Sequence, residues 1–389
     1  MNLPRILILL IGVCTMSDAQ ETNRQETNRP LRVWAFGDAH VGTDARKRRE
    51  SLADALRQSE AGFEWDIAID VGDNSGGQAV PDDAEGREIV RQFGVLKKHR
   101  REQIYNICGN HDRGGLDEPA AWWFQKWIDP IGEHTPHSGV DPARRPYPIT
   151  GTWERYSFRV GNLLFLMMSD INEPTQKIGR GPLGGNPGGV VSAETFEWWQ
   201  QMVTGNPEAI IITVHHYLLK DTTTATGEWE GMVKDARGNW KSGYHGHKPQ
   251  GTPQGASYLY WVGSVPDAQA FEKFLAARQP ADAPAGSNVI TLWLGGHTHP
   301  RTPDDTHGGK SLIATKWGVH FLNVCPLTQH HINPSHPTTP LSRLLTFTPG
   351  SDEVRVQCWL HTAEFAPRGW HAPAERRLKL PRPFHWEQP

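Results

Sequence analysis

The sequence predicts an α/β fold in which helices cover a parallel β-sheet. In the first third of the chain, short apolar segments alternate with amphipathic ones in the order strand, helix, strand, helix, strand. Each of these strands runs directly into a polar cluster rich in Asp, Asn and His. Because ligands gather at the carboxyl ends of parallel strands, both observations favour the same architecture.

The elements of the first half follow from hydrophobic periodicity. Short apolar runs that end in Gly, Asp or Asn predict strands, and apolar residues repeated every three or four positions predict helices. In the helix at 119–128, Trp123 and Trp127 share a face, which favours core packing over a substrate platform. The expected elements are strands 31–36, 66–71 and 103–108, helices 45–59 and 83–100, and that helix at 119–128.

The second half is predicted to be mostly antiparallel, because its strands alternate with turns. Ser192 is expected to cap a helix that runs through Val203. Residues 217–265 lack periodicity, which is typical of a functional or disordered loop. The other expected elements are a hairpin of strands 155–160 and 163–169, strands 209–214 and 288–294, a helix at 267–278, and strands 311–315, 319–324, 343–348 and 353–360.

The composition indicates a loop-rich globular protein. The chain has 389 residues, of which 37% are hydrophobic, with 39 glycines and 30 prolines. A formal net charge of −3 provides no basic field to attract nucleic acid, and we find no nucleic-acid-binding module. The 19 histidines are compatible with metal chemistry without proving it. Nothing in the sequence indicates an oligomeric state.

The N-terminus predicts export to the periplasm or the cell exterior. Arg5, the apolar run 6–13 and the small residues at 17–19 are typical of a signal peptide over residues 1–19. Eight apolar residues are too few to cross a bilayer core of ~30 Å. A membrane anchor, a buried first strand and lipidation at Cys14 are the alternatives, and Val13 disfavours the last. No later stretch is apolar enough to span a membrane.

Three further segments complete the predicted organisation. Residues 20–30 contain a polar duplication that indicates a flexible spacer, and residues 31–362 are expected to form one domain. Residues 363–389 are proline-rich and basic and are expected to form an extended tail. Without the signal peptide three cysteines remain, so that one disulfide is possible and none is required: Cys108, Cys325 and Cys358.

The polar clusters at the strand ends have the composition of a dinuclear metal site. Two divalent ions ~3.5–4 Å apart can activate water and clamp a phosphate. A carboxylate between the ions would reduce their repulsion, while imidazoles and an amide complete the coordination. Mixed nitrogen and oxygen ligands suit Mn, Fe, Zn, Ni or Co. The candidate residues are Asp38, His40, Asp73, Asn110, His111, His215, His297 and His299.

The order of these motifs resembles that of the calcineurin-like metallophosphoesterase superfamily. The chain contains Asp-x-His, Gly-Asp, Gly-Asn-His-Asp, His and Gly-His-x-His in that order between Asp38 and His299. The resemblance implies a four-layer α/β/β/α sandwich of two mixed β-sheets flanked by helices. It also implies a dinuclear metal-dependent hydrolase of phosphate mono- or diesters, in which a metal-bridging hydroxide attacks phosphorus.

Carried over residue by residue, the resemblance assigns a role to each candidate. His111 would assist the leaving group instead of binding metal. His215 is preferred to His216 because it comes first after its strand, and Asp112 is expected to orient a neighbour such as His40 or His111. The implied ligands are Asp38, His40 and His299 for one metal and Asn110, His215 and His297 for the other, with Asp73 bridging.

Some features limit the resemblance or favour an ordinary structural role. Purple acid phosphatases have a tyrosine three residues after the bridging aspartate, where this chain has Gly76, so a purple iron centre is not expected. The basic run 46–49 is interpreted as a solvated helix face. The histidines of 244–247 and 330–336 are expected in surface loops, and substrate specificity in loops 113–152, 172–189 and 217–265. A catalytically inactive exported binding protein is the alternative function.

Overall fold

A computed structural model describes residues 28–77, 80–113, 121–171, 188–227, 232–234, 240–242, 258–299, 311–330, 340–362 and 368–387. The predicted signal peptide, residues 20–27 of the spacer, and His245, His247, His331 and His336 lie outside these ranges. Over the described ranges, every helix is too short or too polar to cross a membrane.

Seven α-helices are present in the described ranges, together with 3₁₀ turns at Arg101–Gln103, Pro142–Arg144 and Ala372–Ala374. Ser192 accepts a hydrogen bond from the Thr195 amide at 3.0 Å, which confirms the predicted cap. The helices are α1 (Val41–Ala45), α2 (Ser51–Gly62), α3 (Asp83–Phe93), α4 (Trp122–Trp127), α5 (Thr135–Ser138), α6 (Ala193–Gly205) and α7 (Ala270–Ala276).

The strands are mostly short, and their bounds are as follows. They are β1 (Leu31–Phe36), β2 (Ile67–Asp70), β3 (Ile104–Asn106), β4 (Thr150–Gly151), β5 (Arg155–Val160), β6 (Leu163–Met168), β7 (Val190–Val191), β8 (Ile210–His215), β9 (Met232–Lys234), β10 (Trp240–Ser242), β11 (Trp261–Val262), β12 (Val265–Pro266), β13 (Leu292–Gly295), β14 (Ile313–Lys316), β15 (Val319–Asn323), β16 (Leu341–Phe347), β17 (Glu353–Leu360), β18 (Gly369–Trp370) and β19 (Arg376–Lys379).

Most of these strands form two seven-stranded mixed sheets. The first has the order β18-β17-β16-β1-β2-β3, with β19 also paired to β17, and the second has the order β14-β15-β13-β8-β6-β5-β4. Strands β1, β2 and β3 are mutually parallel, as are β6, β8, β13 and β15. Small sheets of β9 with β10 and of β7 with β11 and β12 complete the pairing.

The two sheets pack face to face, and helices cover their outer faces. Along β1, Leu31, Val33 and Ala35 enter the core between the sheets, while Trp34 and Phe36 pack with the residues of α2, α3 and α4. The second sheet alternates in the same way, because its outer face packs with residues of α6 and α7. The predicted four-layer α/β/β/α sandwich is therefore confirmed.

The predicted helix at 45–59 is two helices. Helix α1 ends at Ala45 and α2 begins at Ser51, and between them Arg48 adopts a left-handed conformation with φ of 58°. The basic run 46–49 thus occupies a turn instead of a helix face. Helix α3 also ends earlier than expected, because Glu60 accepts hydrogen bonds from the backbone amides of residues 97–99 in a loop.

The segment 368–387 packs on the domain and is not an extended tail. Strands β18 and β19 both pair with β17, and Phe384 is fully buried in the core between the sheets. The Asn162 side chain accepts a hydrogen bond from the His385 amide at 3.0 Å. Proline does favour extended backbone, as the sequence indicated, but an extended segment can also pair at a sheet edge.

The three cysteines of the described part of the chain are buried, and none of them is in a disulfide: Cys108, Cys325 and Cys358.

We predict that Phe384→Ala lowers the free energy of unfolding by about 3–5 kcal/mol, because it leaves a cavity between the two sheets. Urea unfolding of the variant measures this loss. His385→Ala is the matched control, since its side chain is exposed and alanine keeps the backbone hydrogen bonds. Equal stability of the two variants would show that the C-terminal segment contributes nothing to the core.

Candidate metal centre

The candidate residues meet where strands of both sheets end. Five strands contribute: β1, β2 and β3 of the first sheet, and β8 and β13 of the second. Their side chains are buried or nearly so, and His111 and His299 are the most accessible of them. The residues that follow these strands and converge are Asp38, His40, Asp73, Asn110, His111, His216, His297 and His299.

One group consists of Asp38, His40 and His299, whose potential ligand atoms all lie within 4.8 Å of one another. The His299 Nε2 atom is 2.9 Å from Asp38 Oδ1 and 3.3 Å from His40 Nε2. A carboxylate with two imidazoles is a donor set that transition metals accept. The structure thus brings together the three residues predicted for one metal.

A second group forms around Asp73, His216 and His297. His216 Nε2 lies 3.1 Å from Asp73 Oδ2 and 3.0 Å from Asn110 Oδ1. His297 Nδ1 lies 3.1 Å from the same amide oxygen. The Asp73 carboxylate is also 3.8 Å from His40 Nε2, so it lies between the two groups, where a bridging ligand is needed.

His215 does not join either group, in contrast to the prediction. Its Nδ1 accepts a hydrogen bond from the Tyr217 amide at 3.0 Å, and its Nε2 lies 3.9 Å from Asp170 Oδ1. Alternation along β8 explains the difference, because Ile212 and Val214 face the core between the sheets and the next residue of that parity is His216. This periodicity was available in the sequence.

The backbone around the centre is strained at four candidate residues. Asp38, His40, Asp73 and His297 have φ values of 56°, 44°, 59° and 65°, a left-handed conformation that costs energy for residues other than glycine. Hydrogen bonds between the loops hold this conformation. The Asp38 amide donates to Gly72 O at 2.8 Å, and the His40 amide donates to Asp73 O at 3.0 Å.

Asp112 holds backbone amides in place instead of orienting a histidine. Its two carboxylate oxygens accept hydrogen bonds from the amides of Asp73 at 2.8 Å, Ser75 at 2.8 Å and Gly109 at 2.9 Å. Burial, and then the charge of Asp73, raises the pKa of Asp112 to about 7. These hydrogen bonds all come from backbone amides, so the expectation that Asp112 orients His40 or His111 is wrong.

His111 stands at the accessible side of the centre. Its Nδ1 lies 2.9 Å from Gly77 O, and since a carbonyl only accepts, Nδ1 carries a proton. Its ring is perpendicular to that of His40 at 4.8 Å, and its amide donates to Asp73 Oδ1 at 2.7 Å. In a third group, of His40, Asp73 and His111, the potential ligand atoms also lie within 4.8 Å of one another, so the geometry alone permits His111 as a ligand.

The charges of the centre are strongly coupled. Burial raises the pKa of Asp38 to about 6. Burial would also raise the pKa of Asp73, but His216 and His111 hold it well below its usual value. Burial opposes protonation of His216, yet the Asp73 carboxylate raises the pKa of His216 to about 10. The negative charge of these carboxylates favours a proton on His216, and it would favour a bound divalent cation in the same way. Binding of the cation would displace the proton from His216.

Two glycines permit the close approach of these loops. A Cβ atom at Gly109 would lie 2.3 Å from Asp73 Oδ1, and one at Gly76 would lie 2.6 Å from His40 O. Position 76 therefore has no room for a tyrosine, which agrees with the departure from purple acid phosphatases seen in the sequence.

Outer carboxylates support the loops, and sequence analysis missed them. Glu85 of α3 accepts from the amides of Gly42 at 2.8 Å and Gly76 at 2.7 Å, so it connects the loops after β1 and β2. Asp170 Oδ2 lies 3.6 Å from Arg113 Nη2, and Arg113 in turn lies 3.4 Å from Asn110 O. No sequence motif marks these residues, because their role depends on which loops become neighbours.

We predict that Asp112→Asn weakens metal binding about 10–100-fold, because one oxygen acceptor becomes an amide group facing backbone donors. The free energy of unfolding should also fall by about 1–3 kcal/mol. Metal titration and urea unfolding measure the two effects. Asp54→Asn, on the surface of α2, is the control, and wild-type metal affinity in Asp112→Asn would contradict the positioning role.

Comparison with known proteins finds low similarity. No family model and no curated protein matches the sequence. A solved structure described as GAP50, the anchor in the inner membrane complex of Plasmodium, aligns with 91% of this chain and 90% of its own, at 9% identity and a TM-score of 0.40. The 5'-nucleotidase precursor from Thermus thermophilus aligns with 92% of this chain, at 11% identity and a TM-score of 0.32. The chain spans 56% of that second protein's length, and at these scores neither likeness carries weight for function.

Proposed function

We propose that this protein is a dinuclear metal-dependent hydrolase of phosphate mono- or diesters. The observation that carries the proposal is the position of Asp73 between two groups of ligand atoms, one with Asp38 and one with His216. The donors combine carboxylates, imidazoles and one amide, which suits Mn, Fe, Zn, Ni or Co. Export through residues 1–19 is part of the proposal and rests on the sequence alone.

The ligand assignment differs from the sequence prediction at one position, where His216 replaces His215. Bound metal ions would supply an acidified water and neutralise charge on the phosphoryl oxygens. The carboxylate of Asp73 would serve both ions. The proposed ligands are Asp38, His40 and His299 for one ion and Asn110, His216 and His297 for the other.

His111 is proposed as the general acid. The Gly77 carbonyl orients its ring through Nδ1, so in the imidazolium form Nε2 can donate a proton to the leaving oxygen. As the oxygen of water bonds to phosphorus, the bond from phosphorus to the leaving oxygen breaks and that oxygen takes the proton. Asp112 holds the backbone amides of Asp73 and Gly109 in place during this step.

We predict that the full chain loaded with Mn hydrolyses an aryl phosphomonoester, the matching diester or both, and that a chelator abolishes turnover. His111→Ala should lower kcat at least about 100-fold while two metals per chain remain, because it removes a proton donor and not a ligand. Steady-state kinetics and elemental analysis of the same samples measure both quantities.

Asp73→Ala is the matched variant for that experiment, since it should lose metal as well as activity. A diester-to-monoester rate ratio well above one would favour nucleotide, nucleic-acid or lipid diesters as substrates, and a ratio well below one would favour a phosphatase. Two bound metals with turnover of neither ester would contradict the proposal and favour an inactive binding protein.

A pair of adjacent substitutions tests the ligand assignment. We predict that His216→Ala loses about one metal per chain, because its Nε2 faces both Asp73 and Asn110. His215→Ala should keep both metals, although it leaves a cavity beside Tyr217. Elemental analysis of the two proteins decides the question. Metal loss in His215→Ala with retention in His216→Ala would restore the assignment made from sequence.

A further inference from the structure

The basic run 46–49 is not uniform in the folded protein. Arg46 is exposed, and its guanidinium lies against the backbone of Gly77, where an added Cβ would be 3.0 Å from Nη2. Gly77 is the residue whose carbonyl accepts from His111 Nδ1. Arg46 is therefore one residue removed from the proposed general acid, whereas the sequence alone favoured a solvated face for the whole run.

The charge of Arg46 is not balanced by a carboxylate in the described part of the chain. The nearby acidic residues are committed elsewhere, since Glu50 pairs with Arg57 and Arg91, and Glu85 accepts from backbone amides. An exposed guanidinium on a long side chain can bind carboxylate, sulfonate or phosphate in a bidentate manner. Arg46 is thus available to an anion outside the protein.

The direction of substrate entry places this cation on the leaving-group side. Asp38, Asp73 and Asn110 are at most 2% exposed, whereas His111 and His299 are partly exposed, so a phosphate ester would approach the centre from the side of these two histidines. The group that His111 protonates is the leaving oxygen. What is attached to that oxygen therefore extends over the surface near His111 and Gly77, within the range of the Arg46 side chain.

We propose that Arg46 binds a negatively charged part of the leaving group, so that the preferred substrates are phosphate esters or anhydrides whose leaving group is itself anionic. This inference rests on the proposed function, because it assigns substrate preference to the same centre. Hydrolysis would release inorganic phosphate or a phosphomonoester together with an anionic alcohol, phenol or phosphate. Arg46 binds this anionic product and takes no part in the proton transfer.

Two aryl phosphates that differ by one charge test the proposal: phenyl phosphate and 4-sulfophenyl phosphate. For the Mn-loaded full chain, Arg46→Gln should raise KM for the sulfonated ester about fivefold and change KM for phenyl phosphate less than twofold, with kcat retained in both cases. Arg46→Lys should keep part of the effect, and ~0.5 M salt should weaken it. Each variant is compared with wild type on the same ester, so that the different intrinsic reactivities of the two esters do not affect the comparison.

Lys47→Gln is the control, since it removes a neighbouring positive charge from the same turn and should behave as wild type. Equal changes of KM for both esters in Arg46→Gln, no change for either, or the same selective change in Lys47→Gln would overturn the role of Arg46 while leaving the proposed function intact. Turnover of neither these two monoesters nor the matching aryl diester by wild-type protein with two metals would overturn the proposed function and this inference together. For a wild type that hydrolyses diesters alone, diphenyl phosphate and its 4-sulfophenyl counterpart give the same comparison.

Discussion

The constraint on which the centre depends is the burial of several carboxylates at one end of the sandwich. Burial raises the pKa of the carboxyls of Asp38, Asp70 and Asp170 to about 6 and that of Asp112 to about 7. Each of these charges is compensated locally by backbone amides, side-chain amides or a cationic side chain. Asp73, the most central, keeps a low pKa only because histidines surround it. The buried negative charge therefore favours the binding of cations at this site.

The two-sheet architecture makes that burial possible. Apolar residues between the sheets hold β1, β2, β8 and β13 in fixed positions, so polar loops can converge at their ends without disturbing the core. Strained residues are held by hydrogen bonds between loops: the His40 amide donates to Asp73 O, and the His297 amide donates to the Asp38 carboxylate. Asp112 and Glu85 connect neighbouring loops, which couples the geometry of one proposed ligand to that of the next.

The elements, and most of the residues that converge at the strand ends, could be predicted because both depend on local pattern. Apolar runs marked the strands, and the polar residues after them marked Asp38, His40, Asp73, Asn110, His297 and His299. His215 lies outside both groups because the alternation along β8 turns His216 to the core side. Asp112 accepts from backbone amides far away in the sequence, which the neighbouring histidines of its own motif do not indicate.

By itself, the sequence determined the alternation of strands and helices, the order of the polar motifs and the chemical types of donor that they contain. These follow from the periodicity and composition of short segments. The tertiary structure decided which donors share a group, how α1 and α2 divide, where residues 368–387 pack, and which member of the basic run lies beside His111. Those outcomes depend on contacts between residues far apart in the chain, and no local pattern encodes such contacts.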